Sequence, residues 1–375
     1  MTDSGEGASH SACSVCSSND SGSRDAASKF GTRLHQAWDS SMLMLAVAMG
    51  GRTGIWDILA DETKFITPQD IAAKAGLKER YIKELLGLTT SLQITEVDSA
   101  GEAYFLPEDK RDFLVGPKRF DQIAQVPILF SEVFEDVAGC FPKDGPRGVS
   151  RGRFTKLHKI FTTCRKQYFH KVSEAYVNLI PGLAEKLDSG ISVCDIGCNE
   201  GDFIISMAGR YPNSTFHGID YNHDAIEAAR HNSQEHVLKN AYFEANNVGD
   251  LPASWTRKFD IVFMFDTLHD LPYPEISLRE IYRVIKDGGN IAVIDLNVQS
   301  NHADSTQSAG SVELFSYSLF VCMPGSLWHE DSAGLGTCMG KETGVSLIKG
   351  AKFKDVGTSV AEVDKGNMLY LGWKK

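Results

Sequence analysis

Hydrophobic and polar positions divide the chain into zones. Residues 1–28 have few apolar side chains and are rich in Ser, Gly and Asp, so they predict a disordered tail. From Trp38 the pattern changes. SSMLMLAVAMGGRTGIWDILA reads as a strongly apolar helix, broken near Gly50-Gly51 and resumed from Ile55 to Leu59. A helix apolar on most of its surface is buried, here against a second subunit. At Thr67-Pro68-Gln69-Asp70 a new helix starts: Thr67 caps, Pro68 takes the first helical position and Asp70 falls three residues after the cap. Gly76 stops it. LKERYIKELLGLTTSLQI spaces Tyr81, Ile82, Leu85, Leu86 and Leu88 for one helix face. ITEVDSAGEAYFLPE predicts two short strands around an Asp-Ser-Ala-Gly turn. Helix, helix, hairpin is the order of a winged helix, assigned to residues 29–115. Residues 116–180 read as a helical connector, with a Pro/Gly-rich basic loop at 142–152 and a long amphipathic stretch, FTKLHKIFTTCRKQYFHKVSEAYVNLI.

Beyond Ile191 the period alternates between strand and helix. ISVCDIG, TFHGID, AYFEANN, FDIVFMFDTLH and NIAVIDLNV read as strands; NEGDFIISMAGRYP, HDAIEAARHN and EISLREIYRVIKDGG read as helices. The expected fold class is α/β: a doubly wound parallel sheet over residues 181–375 with helices on both faces. No internal repeat is visible.

Totals narrow the function classes. A chain of 375 residues fits two domains and a tail. The net charge of −11 disfavours a phosphate backbone as partner. Within the winged-helix segment, residues 31–115 carry nine basic and thirteen acidic side chains, a net of −4. Lys78, Arg80 and Lys83 on its second helix are interleaved with Glu79 and Glu84, so no basic stripe forms. A DNA-binding regulator is therefore the weaker alternative, and no nucleic-acid partner is expected. No apolar run of ~18 residues exists, so no membrane span is expected. The N-terminal residues lack a basic start and an apolar stretch, and a cytoplasmic location is expected. The eight cysteines then stay mostly as thiols. Cys13 and Cys16 form a C-x-x-C without a second pair at zinc spacing, so no metal is expected.

The chemistry concentrates in the second half. Val193-Cys194-Asp195-Ile196-Gly197-Cys198-Asn199-Glu200-Gly201 puts two glycines four apart between a strand and a helix, where a ligand can approach the backbone. Gly218-Ile219-Asp220 ends the next strand with a carboxylate placed for the two hydroxyls of a ribose. That pair alone suits a dinucleotide or S-adenosylmethionine. D-x-G-x-x-x-G has a wider spacing than the three-glycine pyrophosphate turn. FEANN with VGDLP, then FDIVFMFDTLHDLP, then RVIKDGGNIAVID follow in order.

These four segments resemble the class I S-adenosylmethionine-dependent methyltransferases. GLKERYIKELLG and AYFLPEDKRDFLVG resemble the winged-helix region of a group of two-domain methyltransferases known mostly from bacteria. FVCMPGSL, GLGTCMG and AKFKDVGT resemble the C-terminal part of the same group, and the N-terminal half is similar to the dimerising domain of plant and fungal small-molecule O-methyltransferases. The resemblance covers roughly residues 30–375. It implies an enzyme that passes the methyl group of S-adenosylmethionine to an O, N or S atom of a small molecule by SN2 displacement, working as a homodimer through its N-terminal domain. Asp195, Gly197 and Gly201 then lie under the methionine part of the cofactor, and Asp220 holds the ribose. Cys198, Tyr221, Asn246 and Phe265 complete the cofactor-binding set. Asn247 stands where the family has an adenine-contacting Asp, and its amide oxygen can still accept a hydrogen bond. This departure gives the other alternative, a scaffold that binds cofactor without catalysis.

Leu268-His269-Asp270 matches the placement of the His-Asp pair with which the plant enzymes deprotonate an acceptor hydroxyl. His269 is the candidate general base, with Asp266 or Asp270 orienting substrate or base. An imidazole suits that work, and proton removal contributes about 10²–10⁴ in rate. The acceptor pocket is expected between the domains. Its candidates are Tyr168, Phe169 and His170 on the connector helix, and Phe315, Tyr317, Met323 and Trp328 after the fifth strand.

Overall fold

The computed structural model describes residues 26–116, 118–308 and 310–375. Residues 1–25 of the expected tail, with Cys13 and Cys16, lie outside the described residues, and its last three, 26–28, begin the first helix. The chain forms two compact units, one up to Gln125 and one from Val126 to Lys375. The first unit runs α1 (Ala26–Thr53), α2 (Ile55–Asp61), α3 (Pro68–Ala75), α4 (Glu79–Ser91), the hairpin β1 (Glu96–Val97) and β2 (Tyr104–Phe105), and α5 (Glu108–Leu114). Thr67 accepts from the Asp70 amide at the start of α3, and Gly76 ends it in the left-handed region. Asp98 takes the amides of Glu102 and Ala103 and fixes the hairpin turn.

The break in the apolar helix differs from the one expected. α1 runs through Gly50 and Gly51, and the chain turns by 80° at Gly54, whose φ is 72°. A Cβ on Gly50 would meet the Trp56 indole at 2.1 Å, and one on Gly51 would meet Asp121 at 2.3 Å. Those glycines admit close neighbours; they do not interrupt the helix. Among the described residues no single helix is long and apolar enough to cross a membrane.

The second unit opens with α6 (Val126–Glu132), α7 (Phe134–Gly139), α8 (Thr155–Leu179) and α9 (Leu183–Ser189). Then come β3 (Ser192–Ile196), α10 (Asp202–Arg210), β4 (Thr215–Asp220), α11 (His223–Glu235), β5 (Ala241–Ala245), β6 (Phe259–Phe265), α12 (Pro274–Val284) and β7 (Ile285–Leu296). Four short elements follow: α13 (His302–Ser305), α14 (Ser311–Tyr317), a π turn at Ser318–Cys322 and α15 (Met323–Leu327). The unit closes with α16 (Lys341–Gly350), β8 (Lys354–Ala361) and β9 (Asp364–Trp373).

The seven strands lie in the order β5-β4-β3-β6-β7-β9-β8. The first five are parallel, as the strand–helix alternation predicted; β9 and β8, which that alternation did not reach, are antiparallel, so the sheet is mixed and the doubly wound Rossmann-like class holds. The helix predicted through Asp287-Gly288-Gly289 stops at Val284. Ile285 already pairs with Phe259, and Gly288 (φ 81°) sits in the irregular stretch that follows. Ile261, Phe263 and Phe265 pack one sheet face against α8, α9, α10 and α11, while Val262 and Met264 pack the other against α12 and α16. Strands covered on both faces are continuously apolar, which is why their sequences read so clearly.

Candidate active site

The strand order reverses between β3 and β6, and open α/β sheets bind ligands at the carboxyl ends of the strands at such a point. After β3 the chain turns through Gly197 (φ 78°), Asn199 (φ 50°) and Gly201 (φ 83°) into α10. Side chains are excluded at both glycines: a Cβ would meet Thr267 at 2.4 Å from Gly197 and Phe243 at 2.6 Å from Gly201. Asp220, at the tip of β4, accepts from the Asn199 amide at 3.0 Å and the Asn222 amide at 2.9 Å. The glycine turn and the carboxylate are thus one hydrogen-bonded object. Burial raises the Asp220 carboxyl above its ordinary range, and the two amides pull against that.

Asp195 is buried beneath the turn, and its Oδ1 has no hydrogen-bond partner. Burial pushes its carboxyl up to about 8, with Arg165 pulling it down and Asp220 pushing it up. Arg165, on α8, donates to the Phe265 carbonyl at 2.9 Å and lies 3.8 Å from Asp266, yet its buried Nε is also unpartnered. A guanidinium and a carboxyl with free hydrogen-bonding positions, on neighbouring elements, suit the two ends of an amino acid. Asp266 follows β6 with φ 46°; burial pushes its carboxyl up to about 6, while Arg165 lowers it.

The next turn, Leu268–Asp270, carries His269, which is only 3% exposed. Its Nδ1 lies 2.6 Å from Oδ1 of Asp295, at the end of β7, and its amide donates to Oδ2 at 3.2 Å. A carboxylate only accepts, so Nδ1 carries the proton and Nε2 is the remaining basic nitrogen. Burial works to lower the His269 pKa, but the Asp295 charge and hydrogen bond outweigh it and hold it well above the ordinary value. The carboxylate hydrogen-bonded to the ring is thus Asp295, a residue the sequence reading did not name beside Asp266 and Asp270. Asp270 lies on the other side, its Oδ1 3.5 Å from Nε2, and Arg151 approaches its Oδ2 at 3.5 Å.

Other expected site residues fall into different surroundings. Cys198 and Phe169 are core side chains, and Phe169 packs edge-on against Phe265 at 4.9 Å. Phe265 is also buried, and only its carbonyl reaches the site, through Arg165. Tyr168 donates to Asp364 at 2.5 Å. Tyr221 is exposed, with the Arg151 guanidinium 5.6 Å above its ring. Asn246 is half-buried, its amide bonded to the Asp220 carbonyl at 3.0 Å. Asn247 is exposed, and its side-chain oxygen accepts from the Gly249 amide at 2.9 Å, which leaves one lone pair for a ligand. Tyr317 packs against Phe130 and Phe161, Phe315 lies against His302, Met323 is half-buried, and Trp328 and His170 are exposed.

Four residues were not anticipated: Arg151, His158, Arg165 and Asp295. His158, Thr162 and Arg165 recur on α8 at helical spacing, and Thr162 accepts from the Asn199 side chain at 2.9 Å. Burial lowers the His158 pKa below its ordinary value. A polar stripe on the amphipathic stretch was the available signal.

Residues 187–331 match the family described as a methyltransferase domain, and residues 41–115 match an Rv2258c-like winged HTH domain. A mitochondrial ubiquinone biosynthesis O-methyltransferase from Candida albicans is 35% identical over 112 residues, 29% of this chain and 34% of that protein. A demethylmenaquinone methyltransferase from Listeria welshimeri is 28% identical over 155 residues, 37% of this chain and 62% of that protein. The chain thus spans less than two thirds of these relatives. Among solved structures, an O-methyltransferase of Nostoc punctiforme superposes with a TM-score of 0.68 at 16% identity, covering 94% of this chain and 100% of the other. Human N-acetylserotonin methyltransferase, solved with S-adenosylmethionine, gives 0.63 at 16% identity over 94% and 99%. At these identities the likeness is one of fold.

Proposed function

Since this chain joins a methyltransferase domain to an N-terminal winged helix-turn-helix domain of the Rv2258c-like kind, we propose that it uses S-adenosylmethionine to methylate a hydroxyl oxygen of a small molecule. The observation that carries the reading is the buried His269–Asp295 pair, beside the glycine turn and Asp220. The residues fit the cofactor: Asp220 would hold the ribose hydroxyls, Asp195 Oδ1 the α-ammonium and Arg165 Nε the carboxylate. The bound cofactor supplies a methyl group on a sulfonium, open to in-line displacement. In the form whose Nε2 carries no proton, His269 takes the hydroxyl proton there and Asp295 stabilises the resulting imidazolium; because Asp295 holds that pKa well above the ordinary value, this form gains population as pH rises. An acceptor held in line gains further from positioning. A neutral amine needs no such base, which favours oxygen.

Titration calorimetry with S-adenosylmethionine and S-adenosylhomocysteine tests the cofactor assignment. Micromolar binding of both is expected; no binding by folded protein would refute it. Binding should also release protons. With its carboxyl raised to about 8, Asp195 is largely protonated at pH 6.5, and an ammonium against it favours the ionised form. Heats measured in two buffers of different ionisation enthalpy should report up to about one proton released. Asp195→Asn should release none; an unchanged count would assign the proton elsewhere.

We also propose a homodimer through the first unit. Phe30, Leu34 and Trp38 follow one another at four-residue spacing on α1 and are 65%, 56% and 65% exposed. Such an apolar row is costly in water and suits a subunit interface. Leu34→Glu with Trp38→Glu should convert a dimer to a monomer in light scattering. A dimer that survives both charges would place the interface elsewhere.

A further inference from the structure

One cluster has a donor set that suits a metal. His269, Asp270 and Cys322 each offer a ligand atom, and the three lie within 4.8 Å of one another. Imidazole nitrogen, carboxylate oxygen and thiolate sulfur are the donors that zinc takes, at about 2.0–2.3 Å. We propose that these three side chains bind a zinc-type divalent cation, with water as the fourth ligand.

The surroundings support each donor. Nδ1 of His269 is committed to Asp295 at 2.6 Å, leaving Nε2 as the nitrogen for the ion. A carboxylate behind a histidine is the usual support of a metal-bound imidazole. Arg151 holds the outer side of Asp270: it donates to the Asp270 carbonyl at 2.8 Å and lies 3.5 Å from Oδ2. Oδ1 is left 3.5 Å from Nε2, buried and without a hydrogen-bond partner. Cys322 ends the π turn Ser318–Cys322, a distortion that recurs at functional sites. It brings Sγ to the third corner.

Coordination here exchanges protons and involves no redox step. Cys322 loses its thiol proton and His269 any proton on Nε2; both go to solvent as the metal bonds form. Thiolate and carboxylate together balance the charge of the ion. Because the ion takes the nitrogen proposed as base, metal binding and methyl transfer exclude each other. That consequence rests on the methyl-transfer reading; the metal site itself does not.

The test uses the full chain carrying Cys13→Ser and Cys16→Ser, so that the tail thiols cannot contribute. Cobalt(II) should bind one per chain with a thiolate-to-cobalt charge-transfer band, and zinc should displace it. Cys322→Ser should abolish the band, and Asp270→Asn should weaken zinc binding at least tenfold. Asp295→Asn should weaken it by about 10–100-fold. No band before Cys322 is changed, or a band that survives Cys322→Ser, overturns the proposal. Cofactor binding is titrated on the same samples. Cofactor bound without any cobalt band overturns the metal site alone. A Cys322-dependent band in protein that binds no cofactor supports the metal site and refutes the methyl-transfer reading.

Discussion

Asp220→Ala is expected to weaken S-adenosylmethionine binding by at least ~100-fold. Two hydroxyl groups donating to a carboxylate contribute about 1.5–3 kcal/mol each, which together correspond to ~10²–10⁴ in affinity. The loss has a second source. Asp220 also accepts from the amides of Asn199 and Asn222, so its removal leaves the glycine turn without its clasp. Asn199 is held at φ 50°, a conformation that costs energy unless its surroundings impose it. Asp220→Asn separates the two effects. It keeps the shape but offers a single acceptor oxygen, so either the turn or the ribose loses its partner. Its affinity should fall between wild type and Asp220→Ala. Calorimetry reads both variants, with circular dichroism as the check on folding. Affinity within about threefold of wild type in folded Asp220→Ala would mean that the cofactor does not lie against β4.

The site was legible where its chemistry is local. The glycine turn and Asp220 are short-range features, each between an apolar strand and a helix, and a parallel strand buried on both faces is an unbroken apolar run. β8 lacks that signature. KDVGTSVA alternates exposed and half-buried positions at the sheet edge, where only one neighbouring strand pairs with it. Arg165 was hidden for another reason. It reaches the site from α8, well before the turn it serves, and a basic residue on an amphipathic helix ordinarily reads as a solvated face. Asp295 left a trace that could have been followed: a lone carboxylate in IAVIDL, the otherwise apolar run that ends β7. A buried charge requires a partner, and His269 is the partner it finds. Gly50 and Gly51 misled because their role is steric. Nothing in the sequence around them names Trp56 and Asp121 as the neighbours that forbid a Cβ.

The second large effect is expected at the histidine. His269→Ala should lower turnover by about 10²–10⁴-fold, the usual contribution of a positioned base, while leaving cofactor affinity unchanged. The selectivity follows from placement: His269 bonds Asp295 and faces Asp270, whereas Asp220 bonds the amides of Asn199 and Asn222. Removing it leaves Asp295 buried with only the amides of residues 269 and 296 for company, so some loss of stability should accompany the change. Asp295→Asn is therefore the sharper probe. An amide there can accept the Nδ1 proton but cannot stabilise an imidazolium by charge, so kcat should fall while KM for the acceptor stays close to wild type. His269→Gln retains a polar side chain of similar reach and no basicity; it should lose activity like the alanine variant. If His269→Gln turns over at the wild-type rate, the ring is structural, its contact with Asp295 serves to join the β6 turn to the end of β7, and the acceptor must arrive already deprotonated.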